Sequence, residues 1–290
     1  MNIFKILLFF ILFFAQTIWA NEQVIPKEQN ANTETNRNKS ENTAHYSIGF
    51  GVSMMTIDDY IGADESRFYF IPTPYIYYQN DSVVIDRNAF EGDLFNNKKW
   101  HLALDAAGSI PVDSSKNNTR QGMDDLDWVG ELGPSLEYYF AGDSRSQNRT
   151  FIDFSVRKAV HTDFKKIADA GWTSQISLNN KYQFNADILG GRTIIDSSVA
   201  ALFYSDKYAQ YFYSVSADDA KDNRAEYSAK GGYAGIKVSF GGTWRRENIW
   251  LGLFTRYTYL KNTSFDDSPL MKSNANLLIG LSVSYIFMEK

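Results

Sequence analysis

The sequence of 290 residues contains no cysteine, and only six prolines and three histidines. The absence of cysteine excludes a disulfide scaffold, an iron–sulfur protein, a cysteine-ligated zinc site and a cysteine-nucleophile enzyme. The histidines, His45, His101 and His161, lie on three separate segments, so we predict neither a metal site nor a cofactor. The mean hydropathy of -0.35 argues against a membrane protein of many helices, because such proteins are far more apolar. A soluble domain or a β-barrel remains.

Charge and aromatic content narrow the class further. Acidic residues outnumber basic ones by 34 to 29, which makes nucleic acid an unfavourable partner. Aromatic residues make up 16% of the chain, and aromatic side chains suit a pleated sheet whereas proline does not. The composition therefore favours strands.

The N-terminal segment predicts export from the cytoplasm. Lys5 precedes an unbroken apolar run from Ile6 to Ala15, and the small residue Ala20 follows. This pattern is typical of a cleaved secretory signal peptide over residues 1–20, with an uncleaved anchor as the alternative. Residues 21–43 are almost devoid of apolar side chains after Ile25 and predict a flexible polar leader.

From residue 44 to 290, apolar and polar or small residues alternate with a period of two. This period is typical of strands with one apolar face. Turn-forming residues separate these runs. We predict one antiparallel transmembrane β-barrel of about 10–12 strands, with twelve favoured. The apolar face of the first strand is formed by Tyr46, Ile48, Phe50, Val52 and Met54, and that of the last by Leu277, Ile279, Leu281, Val283, Tyr285 and Phe287.

The direction of the apolar face separates two architectures. In a soluble barrel it points inward, whereas in an outer-membrane barrel it points toward lipid and the polar face lines the lumen. Several runs of about nine to fourteen residues have the length of a tilted membrane crossing, and tyrosines such as Tyr75, Tyr138 and Tyr257 lie near their ends. These features favour the outer-membrane barrel and leave the soluble barrel as the alternative.

Seven short segments occur in an order that matches a known family. Together they resemble the MipA/OmpV family (MltA-interacting protein-like) of Gram-negative outer-membrane proteins. The segments are Tyr60-Ile61-Gly62, Pro72-Thr73-Pro74-Tyr75, Gly122-Met123, Glu131-Leu132-Gly133, the aromatic run from Tyr208 to Tyr213, Gly231-Gly232 and Asp267-Ser268-Pro269-Leu270.

The resemblance implies an outer-membrane location, with lipid and lipopolysaccharide around the protein, and a non-catalytic role. It suggests a scaffold that links a lytic transglycosylase and a bifunctional peptidoglycan synthase to the outer membrane. The alternative is a porin-like channel or uptake barrel for small solutes. The family supplies no catalytic residues, so an enzyme is not predicted.

Two patterns contain residue types that can support catalysis or metal binding. His45 and Ser47 share one strand face, in a His-x-Ser spacing that is similar to that of outer-membrane phospholipase, but their face is the polar one; we interpret His45 as a histidine at a strand start. Acidic pairs such as Asp58-Asp59 and Asp266-Asp267 lack the spacing of a calcium loop and are interpreted as solvated loop charge.

One docking surface is predicted from strand parity. With twelve strands and both termini in the periplasm, segments 56–66, 90–98, 141–148, 216–228 and 261–273 point outward, and two longer connections, 111–126 and 160–171, face the periplasm. We expect these two connections to bind a periplasmic partner, with Arg120, Gly122, Met123 and Asp124 as candidate docking residues.

Overall fold

The protein, described by a computed structural model over residues 45–79, 83–85, 90–92, 95–97 and 99–289, is built almost entirely of β-strands. The predicted signal peptide (1–20) and leader (21–43) lie outside the described residues. The strands are β1 (His45–Asp58), β2 (Ser66–Gln79), β3 (Val83–Ile85), β4 (Phe90–Gly92), β5 (Phe95–Asn96), β6 (Trp100–Ser109), β7 (Trp128–Ala141), β8 (Arg149–Thr162), β9 (Ile167–Gln183), β10 (Arg192–Tyr204), β11 (Gly232–Arg246), β12 (Ile249–Tyr259) and β13 (Ala275–Glu289).

The strands form one antiparallel sheet in the order β4-β3-β2-β1-β13-β12-β11-β10-β9-β8-β7-β6-β5. Neighbours in the sheet are consecutive in the chain except for the pair β1 and β13, where Val52 lies opposite Val283. The first and last long strands are thus joined to each other. At the other margin, β4 contacts β6.

Among the residues that the structure describes, two short helical segments interrupt the strands. Residues Ser114–Lys116 form a 3-10 turn, and α1 covers Asp206–Tyr213. The side chain of Ser205 caps α1 by accepting a hydrogen bond from the backbone N–H of Tyr208, which satisfies one free donor of the first turn. Among the described residues, no helix is long and apolar enough to cross a membrane.

The alternation of the sequence appears as an inside-out distribution of side chains. On β9, Ile176 and Leu178 are 44% and 53% exposed, while the polar residues Gln175, Ser177 and Asn179 between them are buried. The same holds on other strands. Exposed large apolar residues include Phe68, Phe70, Leu132, Leu136, Phe154, Val199, Val238, Leu253, Leu277, Ile279, Leu281, Val283 and Phe287.

The two ends of the sheet differ in the length of their connections. The termini end contains His45, Glu289 and the turns 142–148, 184–191 and 247–248. The loop end contains the connections 59–65, 110–127, 163–166, 205–231 and 260–274. The three longest of these connections, 110–127, 205–231 and 260–274, therefore lie at one end of the sheet, as the long loops do in outer-membrane barrels.

This arrangement corrects the predicted sidedness of three segments. The connections 111–126 and 160–171 lie at the loop end with 56–66, and 141–148 lies at the termini end, which is the reverse of the prediction. The cause is an overlooked reversal: β3 and β4 pair antiparallel, with Ile85 opposite Phe90, so the chain turns back between them. The turn 184–191 between β9 and β10 was also overlooked, and this second reversal cancels the effect of the first. The positions of 216–228 and 261–273 therefore agree with the prediction.

Two apolar clusters lie in the interior of the described part of the protein. One packs the long connections over the strands at the loop end and contains Tyr60, Phe212, Tyr213, Phe265 and Leu270. The other lies lower and includes Met55, Ile57, Tyr75, Trp250 and Phe254. The ring of Phe254 occupies the space above Gly280, its partner on β13, and a Cβ atom there would overlap the ring.

Candidate functional site

The connections at the loop end form a compact unit, which we call the plug: residues 59–65, 110–127, 205–231 with α1, and 260–274. Its centre is aromatic. The rings of Tyr213 and Phe265 stack with centroids 4.0 Å apart. The Tyr60 hydroxyl donates to the Leu270 carbonyl oxygen at 2.7 Å, and the Tyr213 hydroxyl donates to the Ile61 carbonyl oxygen at 2.9 Å. Three separate connections are thereby held together.

Arg120 joins further parts of the plug. Its guanidinium donates to Ser114 Oγ at 3.2 Å, to the Asp124 carbonyl oxygen at 3.1 Å and to the Phe212 carbonyl oxygen at 3.4 Å. It also lies over the Tyr60 ring. Burial lowers the pKa of Arg120, because the charged form loses solvation. These hydrogen bonds of the guanidinium all join residues within the plug.

The other candidate docking residues lie in the same connection and differ in exposure. Gly122 and Asp124 are exposed, and Gly122 has a φ of +87°, a conformation that favours glycine. Met123 is partly buried and packs against the apolar cluster of the plug. Docking at these residues stays a prediction, and it now concerns the loop end.

The histidines are dispersed. His101 Nδ1 lies 2.9 Å from Glu137 Oε2 inside the sheet, and His161 Nδ1 lies 2.9 Å from Asp127 Oδ2 near the loop end. The side chain of His45 lies outside the described residues, while Ser47 faces the interior as expected. In the described part of the chain, no three His, Cys, Asp or Glu residues are grouped as a metal site would require.

The interior wall carries a network of paired charges below the plug. Arg157 Nη1 lies 2.6 Å from Asp105 Oδ2, and Arg157 Nε lies 3.0 Å from Glu131 Oε2. Glu131 also accepts hydrogen bonds from the Thr173 hydroxyl at 2.6 Å and from the Tyr208 hydroxyl at 2.8 Å. The network therefore crosses β6, β7, β8 and β9 and includes α1.

A cavity of about 150 Å³ lies between this network and the plug. Its polar side includes the cations Arg157, Lys237 and Arg256, and its apolar side includes Leu202 and the rings of Tyr204, Tyr208 and Phe212. Arg157, Arg256, Lys237 and Glu131 all line the cavity. Their inward position follows from the same alternation, but their convergence requires knowledge of which strands are neighbours.

Aromatic side chains lie on the outer surface near both ends of the sheet. Near the termini end, they include Trp100 and Tyr138, with ring centroids 4.8 Å apart, and Tyr182 and Phe184, with centroids 5.2 Å apart. Near the loop end, Trp172 on β9 is exposed. From Trp172 to Tyr182 the strand advances roughly 33 Å at about 3.3 Å per residue. At a tilt of about 40° this gives roughly 25 Å, the height of the apolar band of outer-membrane barrels.

Comparison with known proteins gives one family. The sequence profile described as "MltA-interacting protein MipA" matches residues 48–287. No curated protein matches the chain. One similar solved structure is the toluene transporter TbuX of Ralstonia pickettii, at 11% identity, with 86% of this chain and 90% of that chain covered and a TM-score of 0.27. A TM-score this low supports no argument about fold or function.

Proposed function

Because the chain belongs to the MltA-interacting protein MipA family, we propose that it is an outer-membrane β-barrel that acts as a non-catalytic scaffold for enzymes of peptidoglycan metabolism. The family description supports a lytic transglycosylase as one partner. A bifunctional peptidoglycan synthase is the second partner that the proposal includes.

One observation supports the membrane location: large apolar side chains are exposed on the outer face of the sheet, whereas polar side chains are buried on its inner face. In water this exterior is unfavourable by about 25 cal/mol for each Å² of apolar surface, whereas lipid solvates it. The proposed barrel contains the ten long strands of the described residues, with the short strands β3, β4 and β5 between β2 and β6. The twelve crossings favoured from the sequence stay a prediction. The contact between β4 and β6 supports closure.

The plug favours a scaffold over a channel. A channel needs an open path along the lumen, but here the loop end is filled by α1 and its neighbouring connections, and Arg157 below it is paired with Asp105 and Glu131. The channel or uptake barrel remains the second candidate, since the cavity under the plug shows that the lumen is not completely filled.

The proposed orientation places the termini end in the periplasm, because short turns face the periplasm in such barrels. Peptidoglycan enzymes would then bind the turns 142–148, 184–191 and 247–248, together with the leader 21–43 that precedes β1. Lipopolysaccharide would surround the loop end.

Site-specific photo-crosslinking in living cells tests the scaffold. A photoreactive amino acid replaces Gln147, an exposed residue of the termini end, and in a matched strain it replaces Asn118, an exposed residue of the loop end. We expect a lytic transglycosylase to be crosslinked from position 147 and not from position 118. If no peptidoglycan enzyme is captured from position 147 and the purified protein conducts ions in planar bilayers, the channel replaces the scaffold.

A further inference from the structure

We propose that the cavity beneath the plug is a binding site for a small monocyclic organic anion, of the class of aromatic carboxylates, with Lys237 and Arg256 as its cationic partners. This site is distinct from the surface that the scaffold would use, and it exists whether or not peptidoglycan enzymes bind the barrel. The ligand class follows from charge, from the remaining hydrogen-bond donors, and from the size and lining of the cavity.

The two cations lie side by side on neighbouring strands. On β11 and β12, Arg256 is opposite Ser239, and Lys237 lies two residues from Ser239 on the same inward face. Lys237 is adjacent to Ala200 on β10, and this small side chain lets the lysine reach across to β9. There its Nζ donates to Gln175 Oε1 at 2.9 Å.

Lys237 has a neutral partner, and two of the three carboxylates that line the cavity are engaged elsewhere, while the third, Asp58, lies beside the side chain of Asn276. Among the described residues, no carboxylate forms an ion pair with Lys237. Glu131 is held by Arg157, by Thr173 and by Tyr208. Asp59, at the upper edge of the cavity, accepts hydrogen bonds from Arg67 at 2.6 and 3.0 Å and from Asn117 at 2.9 Å.

The hydrogen-bond donors of Lys237 and Tyr204 that remain available favour a ligand with a group that only accepts hydrogen bonds. An ammonium has three donors, and the bond to Gln175 uses one of those of Lys237. The Tyr204 hydroxyl also lines the cavity and makes no hydrogen bond within the described part of the chain. A carboxylate accepts several hydrogen bonds through its two oxygens, and charge-assisted bonds of this kind are the stronger ones. Its charge would balance that of Lys237.

The rest of the cavity fits one apolar ring. Leu202, Leu278 and Ile110 form aliphatic walls, and the rings of Tyr204 and Tyr208, 4.5 Å apart between centroids, form an aromatic one. Its volume of about 150 Å³ equals that of an engineered protein cavity that binds benzene. Benzoate combines a ring of this size with a single carboxylate.

Isothermal titration of the purified full chain in detergent with benzoate tests the site, with benzyl alcohol as the neutral probe of similar shape. We expect benzoate to bind at least about tenfold more tightly than benzyl alcohol, a difference of about 1.4 kcal/mol. Lys237→Met and Arg256→Gln should each weaken benzoate about tenfold or more and leave benzyl alcohol nearly unchanged. Lys181→Met, which removes an inward cation lower in the lumen, should leave both affinities unchanged.

A second variant keeps the test decisive if a charge variant fails to fold. Leu202→Phe fills the cavity without altering a charge, and it should abolish binding of both probes in protein that still shows the electrophoretic shift of a folded barrel on heating. Wild-type protein that does not bind benzoate, equal affinity for the two probes, or unchanged benzoate binding in folded Lys237→Met would each overturn the proposal. The crosslinking result at position 147 is independent of all three outcomes.

Discussion

The Tyr208 hydroxyl donates a hydrogen bond to Glu131 Oε1 at 2.8 Å, and through this bond the helix of the plug is attached to the inner wall of the sheet. Tyr208 belongs to α1, and Glu131 belongs to β7, which is 77 residues away in the chain. Because Glu131 also pairs with Arg157, the plug and the interior charges form one connected network. Substitution of either Tyr208 or Glu131 should therefore loosen the packing at the loop end.

Removal of the Tyr208 hydroxyl should loosen the plug without disturbing the barrel. Tyr208→Phe keeps the ring but deprives a buried carboxylate of one donor, at a cost of about 1–3 kcal/mol. We expect limited proteolysis within 216–228 to become about tenfold faster while the strands stay protected. Tyr257→Phe, on the outward face of β12, is the matched control and should behave like the wild type. Equal cleavage in both variants would contradict the anchoring role of Tyr208.

Alkaline pH should release the plug. Burial raises the pKa of Tyr211 to about 12, and it also raises the pKa of Tyr60, Tyr208 and Tyr213. A tyrosine with a raised pKa stabilises the folded plug fully below its ordinary pKa of about 10, and this contribution is lost as the pH rises through 12. Proteolysis of segment 216–228 should accelerate between pH 10 and 12.

Spectrophotometric titration resolves the contribution of one residue. The difference at the tyrosinate absorption band between wild type and Tyr211→Phe should have a midpoint near 12. The Tyr211 hydroxyl accepts a hydrogen bond from the backbone N–H of Asp127 at 2.8 Å, so it is in contact with the neighbouring connection. A midpoint near 10 would show that Tyr211 is solvated.

The faces of the strands could be predicted from the sequence, because a period of two decides which side chains share a face. Asp153 and Arg157, for example, alternate with the exposed Ile152 and Phe154 on β8, and both are buried. The sequence did not decide whether the apolar face of the strands points inward or outward. In the structure it points outward, because residues such as Leu178 and Phe154 are exposed.

Other features depend on information that periodicity does not contain. The turn between β3 and β4 was not predicted, because an overlooked reversal does not change the alternation within any strand. It does, however, move the connections that follow it to the opposite end of the sheet. The helix α1 is only eight residues long and lies within the aromatic run of the family resemblance, so no helix was predicted there, although Ser205 is a recognisable cap. The cavity could not be predicted, because Lys237 on β11 and Glu131 on β7 line the same cavity only through the order of the strands in the sheet. The period of two does not contain that order.

A positive charge on the outward face should prevent stable insertion. Leu178 lies near the middle of the band between Trp172 and Tyr182, and Leu178→Arg should cost about 2–4 kcal/mol, the range for arginine at the midplane of a barrel. Equilibrium unfolding in urea with lipid vesicles measures this difference. Leu189→Arg is the matched control, because Leu189 is 83% exposed in the turn 184–191, and it should cost less than about 1 kcal/mol. Equal effects of the two variants would argue against a lipid-facing β9.

The two ends of the barrel should be reached from opposite sides of the outer membrane. The chain has no cysteine, so a single introduced cysteine can be labelled without background. In the proposed orientation, Asn118→Cys lies outside the cell and should react with an impermeant maleimide on intact cells, whereas Gln147→Cys should react only after permeabilisation. Both positions are exposed, so a difference in labelling reports the side and not the burial.

The reverse result, labelling of position 147 and not of position 118 on intact cells, would place the plug in the periplasm. The plug, including Gly122 and Asp124, would then face the peptidoglycan enzymes. The docking hypothesis for the 111–126 connection would be restored by that outcome, and the short turns would be excluded as the periplasmic surface. Labelling of both positions on intact cells would contradict a barrel that separates the two ends, because strands that cross a bilayer leave only one end accessible from outside.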